Sequence, residues 1–466
     1  MPGSRLMVAD APVERSLALP VQRFAVERSL TLAVKRFAVK LRSNSSEAAL
    51  HRERSERFTG SASDRSTAQM PLRFTTAGES HGPALVSILE GMPAGLPLLA
   101  EHVNTELVRR QQGYGRGRRM QIEKDAIEFL SGVRGGETIG SPIAMLIHNR
   151  DWKNWQEIMD PAPRETDPAP RKRAVTRVRP GHADLTGLLK YDREDARDIL
   201  ERASARETTA RVAAAAVCKR LLSEFDVCVG SHLVHLGGID AKRPEVMPDD
   251  INAAADGSQL RTLDADAEQR MITYIDEIKR AGNTLGGICE VVANGLPVGL
   301  GSHVSWDRKL DGRIAAVMMS IPAIKGVEIG MGFGAARVTG AEVHDEIEMT
   351  SNSPRTANAR RKTNRAGGLE GGMTTGEPLV VRVAMKPIST LMRPLGTIDV
   401  ATGEAAQAVA ERSDVTAVPA MGVIAEGMLA FVLADAFLEK FGGDSLGETK
   451  RNYDSYLSHV AARIGG

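Results

Sequence analysis

Cysteine is scarce in this 466-residue chain: Cys218, Cys228 and Cys289 are the only three, and none sits in a C-x-x-C spacing. That excludes a disulfide framework and a thiolate zinc site, and it suits a reducing cytoplasm. Aromatic residues make up only 4%, too few to favour a surface that stacks single-stranded bases. Charge of either sign is not in excess, with a formal net charge of +1, so neither nucleic acid nor a membrane is expected as partner and any anion must be held by a local cluster. No apolar run approaches the roughly 20 residues of a membrane helix, which points to a soluble protein. The chain also lacks G-x-x-x-x-G-K-[ST], so a P-loop nucleotidase is not expected, and the glycines of GYGRGRRM (113–120) are not the Rossmann fingerprint. What remains is ordinary core material, 42% hydrophobic, enough for two domains or for one large domain with an appendage.

Residues 1–70 differ from the rest. They hold 12 Lys/Arg against 7 Asp/Glu, a net of +5, which leaves −4 for the other 396 residues. A near-repeat, ERSLALPVQRFAV then ERSLTLAVKRFAV, is followed by a Ser- and Arg-rich tail. Acidic residues and the lack of a clear apolar h-region argue against a targeting peptide. The segment is read as a basic, disordered extension, or as residues upstream of a start at Met70, and no chemistry is assigned to it.

From Pro71 onward the pattern is that of a folded domain. Leu72–Thr76 and Ala84–Glu90 read as two strands joined by the loop AGESHGP, and Glu101–Gln112 as a helix running into GYGRGRRM, where glycines let backbone and guanidinium groups approach an anion. Ser141–His148 alternates like a strand, and Asp151–Pro170 reads as a surface excursion. Cys228–Ile239 and Gly286–Ala293 are strand-like, Glu245–Leu263 polar and irregular, and Asp266–Arg280 and Leu310–Ser320 helical. Gly326–Gly334 reads as tight turns and Thr363–Gly376 as a glycine-rich loop. Leu379–Met385 follows as a strand and Ala420–Phe441 as an apolar helix. Together these elements predict an α+β domain with a composite site built from loops.

The most informative stretch is Arg177–Ala216, RVRPGHADLTGLLKYDREDARDILERASARETTARVAAAA. It places His182 behind Arg177 and Arg179. It also gives Ser204 and Glu207 the S-x-x-E spacing of a capping box at the start of a helix that continues to about Phe225. With Arg202, Arg206 and Arg211 around that terminus, the stretch reads as a site for a multiply charged anion beside an imidazole, or alternatively as a capped structural helix with solvated arginines.

Seven motifs, AGESHG (77–82), RRQQGYGRG (109–117), RPGHAD (179–184), RASARET (202–208), GVEIGMGF (326–333), AGGLEGG (366–372) and Arg412-Ser413-Asp414, stand in the order in which the chorismate synthase family has them. From about Leu72 to the C-terminal helix the chain resembles that family; residues 1–70 lie outside the resemblance. The resemblance implies a βαβ sandwich forming a single large catalytic domain, with helices and antiparallel sheets, over 71–466, usually assembled as a homotetramer. It implies an anti 1,4-elimination that converts 5-enolpyruvylshikimate 3-phosphate to chorismate and phosphate in the shikimate pathway, with reduced FMN required but no net redox change. NADPH as reductant is left open.

By resemblance, His81 lies near the leaving phosphate and His182 near the flavin. Asp414 is the carboxylate near flavin N5, and Ser80 and Ser204 can join it in a proton relay, although capping alone explains Ser204 equally well. Arg110, Arg116, Arg179 and Arg206 are implied for the substrate's anions, the first two alternatively for a dinucleotide phosphate. The implied FMN contacts are Arg202, Ala203, Ser204, Ala323, Gly371, Lys386, Pro387, Ile388, Ser389, Thr390 and Arg412. Arg118, Arg119 and Arg211 keep a surface reading, and Gly367, Gly368 and Gly372 are read as turn formers. Two positions depart from the family: Pro322 replaces an Asn, and Ala203 replaces the middle hydroxyl of the R-S-S-A-R-E-T form of that motif. Both leave backbone contact only. The competing readings are a flavin oxidoreductase on the same scaffold and a protein that binds anions or RNA through its arginine loops.

Overall fold

The computed structural model describes residues 72–117, 123–163, 173–350, 354–356, 358–409 and 414–463. The reading of 1–70, Arg118, Arg119 and the implied FMN contact at Arg412 therefore lie outside the described residues. In the unit that begins at Met70, β1 (Arg73–Ala77), β2 (Ala84–Glu90), β3 (Glu128–Ser131) and β4 (Ile143–His148) form an antiparallel sheet in the order β1-β2-β4-β3. Strict alternation drives it: Leu85, Ser87 and Leu89 on β2, and Ile143, Met145 and Ile147 on β4, face inward and are buried, as a period of two demands when one face meets a core. The second sheet joins β5 (Cys228–Leu236), β6 (Ile239–Asp240), β7 (Gly287–Asn294), β8 (Ile324–Ile329) and β9 (Leu379–Met385) in the antiparallel order β8-β9-β7-β5-β6.

Between the sheets lies a helical layer. Its helices are α1 (Ala100–Gln111), α3 (Thr208–Ser223) and α7 (Val418–Phe441); around them lie α2 (Asp184–Tyr191), α4 (Ile251–Asp256), α5 (Ala265–Ala281), α6 (Leu310–Met319) and α8 (Leu446–Ala461). α3 packs on β1 and β2, α7 packs on β5 and β7, and the two helices pack on each other. The expected βαβ sandwich of helices and antiparallel sheets is the observed architecture. Alanines 213–216 give α3 a thin side, and at Gly427 of α7 a Cβ would stand 2.9 Å from the Ala215 Cβ. Small residues at the crossing thus set the separation of the two central helices.

α7 corrects one expectation. With 24 residues, and a mean hydropathy of 1.8 over its most apolar 18, it is long and apolar enough, by length and composition, to cross a membrane, yet all of it except Glu439 and Lys440 is buried inside the domain. A helix that is apolar all round has no face to give to solvent. It nevertheless carries two fully buried carboxylates, Glu426 and Asp435. Asp435 accepts the Leu72 backbone N–H at 2.9 Å and pairs with Arg313 of α6. Glu426 pairs with Arg109 of α1 (2.9 Å), Arg261 (2.9 Å) and Lys219 of α3 (3.0 Å), and accepts the Ser231 hydroxyl from β5 at 2.6 Å. Burial alone would raise the Glu426 carboxyl, but Lys219, Arg109 and Arg261 outweigh it and hold the group well below the ordinary carboxylate range.

Other elements depart from the sequence reading. The irregular stretch 245–263 contains α4, capped by Asp250, whose carboxylate accepts the Ala253 N–H. The predicted tight turns at 326–334 are the edge strand β8 followed by a 3-10 helix, Gly332–Arg337. The glycine-rich loop holds a small hairpin, Leu369–Glu370 with Met373–Thr374. The α8 helix has no counterpart in the reading.

Two outcomes follow from this packing. Gly427→Val should lower stability by about 1–3 kcal/mol, the cost of overpacking a filled core, and an unchanged urea midpoint would show that the helices can separate freely. Because the Glu426 carboxyl is depressed in the folded state, its contribution is complete above the unfolded value of about 4.3 and is lost as pH falls below it. Glu426→Gln should therefore cost about 3–5 kcal/mol at pH 7 and flatten the fall in urea midpoint between pH 6 and pH 3. Equal slopes for variant and parent would contradict the assignment.

Candidate active site

The loop between β1 and β2 carries Ser80 and His81, and it is held from the other side of the site by Glu201. The Ser80 N–H donates to the Glu201 carbonyl at 2.9 Å, and the His81 N–H donates to its carboxylate at 2.9 Å. His81 Nδ1 stands 2.9 Å from each of the two carboxylate oxygens. Glu201 is buried and is also bound by Arg197 Nη1 at 2.9 Å. Its burial favours the protonated form, but the bonds from His81 and Arg197 prevail and hold the carboxyl low. The imidazole stacks on Trp155, with centroids 3.8 Å apart and planes 25° apart, and the guanidinium groups of Arg173 and Arg197 also lie over that indole. The stretch read as a surface excursion thus begins with a wall of the site.

Ser204 donates to Ser80 Oγ at 3.1 Å and accepts the Arg206 N–H at 3.2 Å. It therefore caps a short 3-10 turn, Ala205–Glu207, that leads into α3. The predicted capping box is only half formed. Glu207 turns away to accept from Thr76 Oγ1 at 3.0 Å and from Arg211 Nε at 2.9 Å. Arg211, which also donates to Ser320 Oγ at 2.8 Å, is partly buried rather than a solvated surface arginine. Arg202 donates to Thr76 O at 2.9 Å and to Gly78 O at 3.2 Å. The Ala203 N–H is spent on Ile199 O at 3.0 Å, so of the two backbone groups left by the missing hydroxyl, the carbonyl is the one to offer.

Deeper in, three of the predicted arginines converge. Arg206 donates to both Asp125 oxygens, at 2.6 and 2.8 Å, and to Asn149 Oδ1 at 2.9 Å. Arg110 donates to Thr208 Oγ1 at 3.0 and 2.8 Å and to Ala205 O at 2.7 Å. Arg116 Nε lies 3.1 Å from Asp414 Oδ2, whose other oxygen accepts the Gly117 N–H at 2.5 Å. Yet, among the described residues, Arg110 Nη1 and Arg206 Nη2 are buried with no hydrogen-bond acceptor; carboxylate oxygens of Asp125 and Glu123 stand 3.9 and 3.8 Å from them, beyond hydrogen-bond distance. Burial pushes Arg110 down to about 9; Asp125 opposes the shift, and the neighbouring Arg116 and Arg206 add to it. A guanidinium stays protonated in proteins, so the shift means a destabilised charge. Each orphaned buried donor costs on the order of 1–3 kcal/mol, which an arriving anion would return.

The second imidazole is held in the same manner. Asp184, the buried first residue of α2, accepts from Arg179 N (3.1 Å), Nε (2.8 Å) and Nη2 (3.1 Å), and stands 2.5 Å from His182 Nδ1. Burial works against its charge, but His182 and Arg179 more than compensate and hold the carboxyl far below its usual range. Arg179 Nη1 reaches Thr390 Oγ1 at 3.3 Å, Lys386 Nζ donates to Gly181 O at 2.8 Å, and the Lys386 N–H donates to Ala323 O at 2.9 Å. Ala323 has a φ of 69°, a left-handed conformation costly for an alanine and typical of functional loops. The Ile388 carbonyl accepts from Thr284 Oγ1 at 2.8 Å.

The structure thus gathers His81, Ser80, Ser204, Ala203 and Arg202 in one cluster, with Arg110, Arg116, Arg206 and Asp414 behind it. It gathers His182, Arg179, Ala323 and Lys386 through Thr390, including Pro387 and Ser389, in another. Gly371 stands apart. Its neighbours are His303 and Met373, by the start of α6, whereas Ala323 follows that helix's end, about 15 Å away along ten residues. The sequence reading missed Glu201, Asp184, Asp125, Asn149 and Trp155. Glu201 and Asp184 adjoin or end quoted motifs, and their spacing to the arginines was the available signal.

An α–β sandwich that holds two imidazoles on buried carboxylates, one of them in a loop beside buried guanidinium groups, fits an enzyme that acts on a small molecule. A family model described as chorismate synthase matches residues 72–438. The chain is 56% identical over 394 residues to chorismate synthase of Geobacter sulfurreducens, covering 84% of this chain and 100% of that protein. It is 54% identical over 398 residues to that of Aquifex aeolicus, covering 84% and 98%. A crystal structure of chorismate synthase superposes with a TM-score of 0.67 at 46% identity, covering 84% of this chain and 98% of that one. The chain belongs to the chorismate synthase family.

If the orphaned donors await an anion, inorganic phosphate should raise the melting temperature, by about 2.7 kcal/mol of added stability at a hundred times its dissociation constant. Arg110→Gln should remove most of that dependence. A parent protein indifferent to phosphate would contradict the anion site.

Proposed function

We propose that this chain catalyses the anti 1,4-elimination of phosphate from 5-enolpyruvylshikimate 3-phosphate to give chorismate, as a lyase of the shikimate pathway that needs reduced FMN without consuming reductant. The observation that carries the reading is the pair of buried guanidinium N–H groups, on Arg110 and Arg206, that find no hydrogen-bond acceptor among the described residues and lie beside the Ser80–His81 loop. A substrate with one phosphate and two carboxylates supplies such acceptors, and fixed guanidinium groups orient it.

The residues also fit a flavin. The left-handed Ala323 backbone, the 386–390 strand exit and the Lys386 ammonium, whose charge burial and the nearby Lys325 destabilise, offer polar backbone and a cation for the cofactor's phosphate. Reduced FMN, when bound, supplies transient electron density and no net electrons. Arg202, Ala203, Ser204 and Arg412 would contact the cofactor as well, and Gly371, at the far end of α6 from Ala323, would reach it only at its outer edge. His81 protonates the departing phosphate. His182, fixed by Asp184, governs the protonation of its neighbourhood. Asp414, with Ser80 and Ser204, takes part in moving the ring proton. Arg179 binds anion through whichever guanidinium edge Asp184 leaves exposed. NADPH as reductant, a homotetramer and a cytoplasmic location complete the proposal, with 71–466 as the catalytic domain and 1–70 outside the chemistry.

The assay is stoichiometric. Under anaerobic conditions with FMN held reduced, chorismate should form with no matching loss of reductant; one reductant consumed per product would make the protein an oxidoreductase instead. His81→Ala and His182→Ala should each lower turnover about tenfold or more, within the range of general acid–base contributions, and leave the circular dichroism spectrum unchanged. Parental rates from both would remove the acid–base assignment.

A further inference from the structure

We propose that Glu201 is a positioning residue for this reaction, holding His81 in a single tautomer and a single orientation; the inference rests on the acid role given to His81 above. Two constraints converge on the ring. Its plane is fixed by the stack on Trp155, 3.8 Å between centroids, and its Nδ1 edge is fixed by the two Glu201 oxygens at 2.9 Å. Arg197 joins the two constraints, because its guanidinium binds Glu201 at 2.9 Å and lies over the same indole at 5.0 Å. The His81 backbone N–H also donates to Glu201, so main chain and side chain of one residue are clamped by one carboxylate.

The chemistry follows from what a carboxylate can do. An ionised carboxylate only accepts hydrogen bonds, so the Nδ1 facing it carries the hydrogen, an assignment made from the hydrogen-bond network. The Nε2 edge is then where a proton arrives and leaves. The charged ring passes its Nε2 proton to the oxygen of the leaving phosphate and becomes the neutral Nδ1–H tautomer. That tautomer is the one Glu201 already holds, so the ring neither rotates nor exchanges partners during the step.

The test uses the full chain, 15N-labelled at histidine and supplied with reduced FMN and 5-enolpyruvylshikimate 3-phosphate. Glu201→Gln replaces an acceptor with an amide that donates to Nδ1, which selects the Nε2–H form. The His81 resonances, identified by their loss in His81→Ala, should change to the Nε2–H pattern. At the same time kcat should fall by about 10²-fold or more, as when an orienting carboxylate is lost, with KM within about threefold. Should Glu201→Gln fail to fold, Arg197→Gln with Glu201→Gln removes both charges together, and the same two readouts apply. Either readout remaining at the parental value overturns the positioning role. The acid role of His81 is judged separately: parental turnover from His81→Ala removes it, whereas an inactive His81→Ala beside a fully active Glu201→Gln removes only the role of Glu201.

Discussion

The contact on which most else depends is the one between Glu426 and the cations around it. A carboxylate with no solvent exposure, in the middle of the most apolar of the described helices, is tolerable because Arg109, Arg261 and Lys219 approach it and Ser231 and Asn252 donate to it. Buried ion pairs of this kind often give little net stability, but losing one partner is severe. The consequence here is geometric. Glu426 ties α7 to α1, to α3 and to β5 at one point, and Arg109 is followed in the chain by Arg110. The residue that fastens the end of α1 to the core therefore also sets where Arg110 points, toward Thr208 and Ala205 at the start of α3.

The same device recurs at the site on a smaller scale. Asp125 holds Arg206, Glu201 holds His81 and Arg197, and Asp184 holds Arg179 and His182. In each case a buried carboxylate and the cations it binds hold one another in place, so the cationic groups need no substrate to be ordered. The cost appears in the Arg110 and Arg206 donors that find no hydrogen-bond acceptor among the described residues. A site that pays for order with unsatisfied donors binds best the ligand that supplies acceptors at those points, which is the logic of preorganised electrostatics.

Much of this was legible in the sequence. The β1–β2 hairpin, α3, β9 and α7 announced themselves by period and by glycine and proline at their ends, and the seven motifs placed the two imidazoles and most of the arginines. α4 and α8 were not legible because their apolar faces are short and interrupted by charge: α8 buries only Leu446, Thr449, Tyr453 and Val460 along 16 residues. Glu201 and Asp184 were hidden for another reason. An acidic residue next to arginines reads as one half of a solvated pair, and only the fold shows that both carboxylates are sealed from water. Trp155 was misassigned because Pro and charge dominate its segment, and a single aromatic leaves no periodic trace.

Ser204 shows how structure and chemistry share one group. Its oxygen accepts the Arg206 N–H as a cap while its hydrogen is directed to Ser80. A hydroxyl has one donor and two acceptor positions, so capping consumes an acceptor and leaves the donor for Ser80. The two readings of this residue are therefore compatible. The cap fixes the oxygen, the fixed oxygen fixes the direction of the hydrogen, and the start of α3 becomes an ordered part of the proton path proposed above.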